Sequence, residues 1–251
     1  MRNGPHEKMI RDHTAQISMQ GLIGLLFSRL LLFGFFQTLI AFALHSWTAS
    51  TKYWLLTATL GNIASIVLLI ILCRREGIKY LSIFRFSKRE RKKDLLLFLA
   101  LALLSMPLVL FPGPALSKML WGHTDYDQQL LFQPIPVYLI YFLLFAFPVT
   151  IAFAELATYF GYILPRLKIR MKSKWLVVLL PVFFLSIQHC TLPLVFEAKF
   201  ILLRALMFLP FAIMLGIAIN KRPTLLPYFA VLHGLLDAMT VMMLLVEPNN
   251  R

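Results

Sequence analysis

The chain has 251 residues, of which 59% are hydrophobic and only 14% charged. A soluble domain has too little interior to hide that much hydrocarbon, so a single membrane-embedded unit is expected instead of a soluble enzyme. The formal net charge of +14 raises nucleic acid as a partner. The basic residues, however, sit in short loops beside apolar runs and not along one face or groove, which excludes that class and favours contact with the lipid bilayer.

Residues 1–20 carry Arg2, Glu7, Lys8, Arg11 and Asp12 and read as a cytoplasmic segment ahead of one membrane domain over 21–251. The apolar run that follows is too long for a secretory leader and lacks a small-residue cleavage site, so it is expected to stay as the first span. Runs of about 17–25 apolar residues, the length that crosses a bilayer, recur along the chain. Seven spans can be drawn: 22–46, 53–73, 95–111, 135–165, 175–190, 200–220 and 225–246. The fold class expected is therefore all-α, a polytopic transmembrane bundle. Its third and fifth spans are short and its fourth is long, a spread that tilt and local unwinding absorb.

Outside these spans, nineteen Lys and Arg fall in the N-terminal segment and alternate loops, against four on the other side (Lys52, Lys118, Lys199 and Arg251). The positive-inside rule then places the N-terminus in the cytoplasm and the C-terminus outside. The loop over 74–94, with RFSKRERKKD, reads as a plain charge run in preference to an interfacial helix. The loop over 112–134 holds Trp121, His123, Asp125, Tyr126 and Asp127, residues suited to the membrane interface. No internal repeat is evident, which disfavours an inverted-repeat transporter. The two cysteines, Cys73 and Cys190, build neither a disulfide framework nor a metal quartet.

A charged side chain at membrane depth costs several kcal/mol unless it meets a partner or water, so each one marks a candidate site. Six qualify: Arg29, Glu155, His189, Arg204, His233 and Asp237. Arg29 and Arg204 are unassigned, and two alternatives stand for each: snorkelling to the interface, or pairing with Glu155 or Asp237. At 1.5 Å per helical residue, Glu155, His189, His233 and Asp237 lie roughly 13–22 Å from the cytoplasmic ends of three spans. They therefore share one layer, and His233 and Asp237, four apart, project from one helix face. A carboxylate with an imidazole can polarise water, and a second imidazole with a further polar group can bind the oxyanion formed on an amide. Interhelical hydrogen bonding that joins the bundle accounts for the same residue types. No H-E-x-x-H or G-x-S-x-G occurs, and two histidines with an acid match no compact zinc signature, so neither metal nor other cofactor is expected.

Three segments, in order, carry a resemblance. ELATYFGYILPRL begins at Glu155, LSIQH ends at His189, and HGLLDA begins at His233 and contains Asp237. Together they resemble the motifs of the CPBP intramembrane proteases, the family of CAAX prenyl endopeptidases and of bacteriocin self-immunity proteins. The likeness covers a catalytic core at about 135–246. The family's first motif reads E-E-x-x-x-R-G before an apolar run and P-R-L. Here Glu155 takes its first Glu, and Gly161, Pro165, Arg166 and Leu167 agree, while Leu156 and Phe160 stand where the second Glu and the Arg would be. Leu185 replaces a Phe in the second motif.

The resemblance implies a metal-independent endopeptidase in which Glu155 and His189 activate water while His233 and Asp237 hold the oxyanion. Its substrate would be a membrane peptide or protein. Leu156 and Phe160 read as a joint replacement of a buried ion pair by two apolar residues, a swap that can be neutral for stability. It also removes a cation that would keep Glu155 ionised. The alternative is a catalytically silent relative serving as a scaffold or regulator of a membrane protein partner, in envelope maintenance, signalling or bacteriocin immunity. Short loops and no organelle signal point to a bacterial plasma membrane.

Overall fold

A computed structural model describes residues 17–246. The cytoplasmic segment expected at the N-terminus lies mostly at 1–16, outside the described residues. Among the described residues there are helices and no strands. Six helices are long and apolar enough to cross a bilayer: Met19–Ala43, Trp54–Arg75, Arg91–Trp121, Val137–Arg170, Ala198–Lys221 and Pro223–Leu245. Lys174–Cys190, where the fifth span was expected, is a shorter apolar helix.

In chain order, α1 (Met19–Ala43) is capped by the Ser18 hydroxyl, which accepts from the Gly21 N–H at 3.0 Å. A short α2 (Trp47–Thr51) leads to α3 (Trp54–Arg75). Next come α4 (Arg91–Leu110), α5 (Pro112–Trp121) and α6 (Tyr126–Leu131). The fourth span is α7 (Val137–Leu156), a π-helical segment (Ala157–Ile163) and α8 (Leu164–Arg170). It is followed by α9 (Lys174–Ile187), a 3-10 turn (Gln188–Cys190), α10 (Ala198–Met207), α11 (Leu209–Lys221) and α12 (Leu226–Val246).

Two expectations change. The 112–134 loop is largely helical. Pro112 begins α5, where its missing N–H has no helical partner to lose, and Gly122 ends α5 at φ 86°, a left-handed conformation that glycine adopts freely. There the Trp121 and Tyr126 rings stack, and both donate to Glu197 at 3.1 and 2.8 Å. The Glu197 carboxylate pushes the Tyr126 phenol above its ordinary range. Asp127's side chain lies outside what is described.

The 74–94 run is not wholly a solvated charge run either. Glu76 turns inward to a bidentate pair with Arg166 and accepts from the Tyr162 hydroxyl at 2.7 Å. Arg91 to Asp94 form the first turn of α4, where buried Asp94 accepts from Arg222. The anions stand where a helix N-terminus or a buried cation offsets their charge.

Two apolar cores form, one around Leu22, Leu69, Tyr162, Val182 and Phe229, the other around Phe33, Leu55, Phe147, Leu203 and Val241. Along α1 the switch between them falls at Arg29, along α3 at Asn62 and Ser65, along α7 at Glu155, and along α12 at His233 and Asp237. A polar stratum therefore crosses the bundle between two hydrocarbon layers.

Candidate functional site

Glu155 is the penultimate residue of α7, and the helix widens to π geometry from Ala157. Such single-turn insertions recur at functional sites because they re-aim the adjacent side chains. The site's other wall is α12, which packs more extensively on α7 than any other pair of elements pack together. Gly234 makes that approach possible, since a Cβ there would fall 2.8 Å from the Pro148 carbonyl oxygen and 3.2 Å from the Ala152 Cβ. Its neighbour His233 is thereby brought to α7.

His233 Nε2 lies 3.0 Å from Glu155 Oε1 and 3.5 Å from Asp237 Oδ2. Two carboxylates facing one ring nitrogen assign the imidazole proton to Nε2. That single N–H can point at only one oxygen at a time. Glu155 Oε1 and Asp237 Oδ2, both buried atoms, receive no hydrogen bond of good geometry although both sit within ion-pair distance of His233, so at least one of them has acceptor capacity to spare. Glu155 is 2% exposed, whereas the His233 and Asp237 side chains are 16% and 21% exposed. The open side of the cluster is therefore the α12 side.

Glu155 Oε2 is held differently. It accepts from Gln188 Nε2 at 2.8 Å and lies 3.5 Å from Arg29 Nη2. Arg29 also donates to Gln188 Oε1 at 2.6 Å, Asn62 Oδ1 at 2.8 Å and Ser65 Oγ at 3.3 Å. Asn62 reaches back to the Thr150 hydroxyl at 3.3 Å. The network joins α1, α3, α7 and the 3-10 turn. It settles one open alternative of the sequence: Arg29 pairs with Glu155 and does not snorkel.

His189 is buried beside this cluster but makes no ion pair with Glu155 among the described residues. Its Nδ1 faces the Ser186 carbonyl oxygen at 3.2 Å, and its ring stacks on Phe208 with centroids 4.0 Å apart. Phe208 stands at the break between α10 and α11, where Pro210 cannot continue the backbone ladder. Arg204, the other unassigned cation, donates to the Leu192 carbonyl at 2.6 Å and the His189 carbonyl at 3.4 Å, so it braces the turn that carries His189.

The structure thus brings Glu155, His233 and Asp237 into direct contact and sets His189 at the edge of the group. The imidazole at Glu155 is His233 and not His189. Gln188, Asn62 and Ser65 were not foreseen. The signal for Gln188 was present: an amide next to His189 inside an apolar run must find a partner there. Leu156 and Phe160 are both buried in the core, so the turn that follows Glu155 is filled by hydrocarbon. No group of three or more His, Cys, Asp or Glu is placed to hold a metal ion among the described residues.

No family model, curated protein or solved structure matches this chain. What the fold and the stratum of buried polar groups define is a class: a multi-pass α-helical membrane protein with an ionisable cluster enclosed between two apolar cores.

Proposed function

We propose that the protein is a metal-independent intramembrane endopeptidase, with Glu155 as general base and a membrane peptide or protein as substrate. The observation that carries this reading is the buried Glu155 Oε1 lying 3.0 Å from His233 Nε2, with Asp237 on the other side of the same nitrogen. A carboxylate beside an imidazole that a second carboxylate orients is an arrangement suited to proton transfer. The order of the three CPBP-like motifs supports the same assignment.

In this reading, water enters from the open α12 side and hydrogen-bonds to Glu155 Oε1 next to His233. Glu155 takes one of its protons as the oxygen forms a bond to the scissile carbonyl carbon. The carbonyl π electrons move to oxygen, and the resulting oxyanion accepts from His233 Nε2–H, whose ring Asp237 orients. Collapse breaks the C–N bond, and the leaving nitrogen takes the proton held by Glu155, giving a carboxylic acid and an amine. His189 contributes a second ring at the edge of the cluster. The site lies near mid-membrane depth, between the two apolar cores, and the positive loops support an N-in topology, in this reading in a bacterial plasma membrane.

A second reading has one specific observation in its favour: Glu155 Oε2 is tied to Gln188 and Arg29 in a network that joins four elements. That is what interhelical polar contacts do in a scaffold with no chemistry of its own. Comparing membrane-peptide termini in cells expressing wild type or Glu155→Gln at matched levels separates the two. Termini that vanish in the variant support the peptidase. Identical profiles with the biological phenotype intact support a scaffold or regulator acting on a membrane protein partner.

A further inference from the structure

We propose that Arg29, in the first span, is the fixed counter-charge and positioning residue of Glu155, acting directly and through the amide of Gln188. The positioning role rests on reading Glu155 as the base, but the charge pairing does not. On α7 itself no cation is available, since Leu156 and Phe160 occupy the adjacent turn. An ionised carboxylate in hydrocarbon needs a charge brought from elsewhere.

Arg29 fits that need in three respects. It is 0% exposed, and a guanidinium stays charged even there. Of the groups it touches, Gln188, Asn62 and Ser65 are neutral, and among the described residues Glu155 is the only carboxylate in an ion pair with it. Glu155 thus offsets the Arg29 charge, and Arg29 gives Glu155 a fixed cation beside His233, whose charge depends on its protonation.

The third respect is orientation. Arg29 Nε donates to Gln188 Oε1, and the Tyr159 hydroxyl donates to the same oxygen at 3.3 Å. With its oxygen engaged by two donors, the Gln188 amide must turn its NH2 toward Glu155, where it meets Oε2 at 2.8 Å. Direct pairing at 3.5 Å and the relayed bond both act on Oε2. Oε1 is thereby left facing His233. The working site accordingly extends to α1 and α3, well outside the C-terminal half that carries the motifs.

Dicyclohexylcarbodiimide, an apolar reagent that modifies protonated carboxyls buried in membranes, reads this charge without any substrate. The probe is applied to the full chain in native membranes, and modification at Glu155 is followed by peptide mass spectrometry. Wild type is expected to resist, Arg29→Met to be modified faster by on the order of tenfold, and Arg29→Lys to fall between the two, since an ammonium supplies a charge but not the guanidinium's fork. Equal modification of wild type and Arg29→Met overturns the proposal.

If Arg29→Met does not accumulate, Arg29→Met with Glu155→Gln removes both charges. Recovery of protein level and melting temperature in the double variant supports the pairing, and no recovery overturns it. The result is independent of the peptidase reading. A protected Glu155 with no Glu155-dependent termini leaves the pair standing and removes the peptidase, whereas Glu155-dependent termini with unprotected Glu155 do the reverse.

Discussion

Gly234 of α12 sits directly on the Pro148 carbonyl of α7, so close that a Cβ would fall 2.8 Å from that oxygen. The neighbouring His233 meets Glu155 because these two backbones touch. Backbone cannot yield as a flexible side chain can, so Gly234→Ala must push the helices apart. Overpacking of this kind costs about 1–3 kcal/mol. The expected result is a lower melting temperature in detergent together with loss of any Glu155-dependent function. Gly24, where a Cβ meets nothing within 4 Å, is the control: Gly24→Ala should melt at or slightly above the wild-type temperature.

The Glu76–Arg166 pair, both residues at most 3% exposed, anchors the inner end of α3 to α8. Removing one member strands a buried charge, a loss of about 3–5 kcal/mol, while removing both for apolar residues of similar size is close to neutral. Glu76→Gln should therefore unfold well below wild type in thermal melts, and Glu76→Met with Arg166→Leu should return most of the difference.

Leu156 and Phe160 fill buried positions next to Glu155, where the proposed resemblance to CPBP proteases would put a charged pair. If the two apolar residues are a joint replacement, Leu156→Glu alone buries an uncompensated charge and should lower stability by about 3 kcal/mol or more, and adding Phe160→Arg should restore part of it. Expression level and melting temperature of the single and double variants check this. No recovery in the double variant would show that the site has been repacked around hydrocarbon.

Topology is tested in a Cys190→Ala background, since Cys73 is buried. With positive loops inside, Lys88→Cys should be protected from a membrane-impermeant maleimide in intact cells and labelled after lysis. Thr124→Cys should be labelled in both. The opposite pattern would invert the assignment.

Much of the bundle was legible because apolar length is written into the sequence residue by residue: every expected span contains a helix, with ends shifted by a few positions. Glu155, His233 and Asp237 were legible for the related reason that charge is rare at such depth. What the sequence did not show is how side chains turn. Helical spacing puts His189 and His233 at similar depths, but the 3-10 turn at Gln188–Cys190 directs the His189 ring to Phe208 and the Gln188 amide to Glu155. Arg29 pairs across 126 residues of sequence, a separation that no local pattern encodes. Glu76 looked like one more loop charge because its partner, Arg166, lies 90 residues away.

The central claim is that Glu155 directs water onto a peptide bond. The most direct measurement reconstitutes the purified protein in liposomes containing the peptides of its own host membrane, in water enriched in oxygen-18. New C-termini carrying oxygen-18 with wild type, and none with Glu155→Gln, are the predicted result. Equal termini in both preparations, or none in either while the cellular phenotype survives Glu155→Gln, would contradict it.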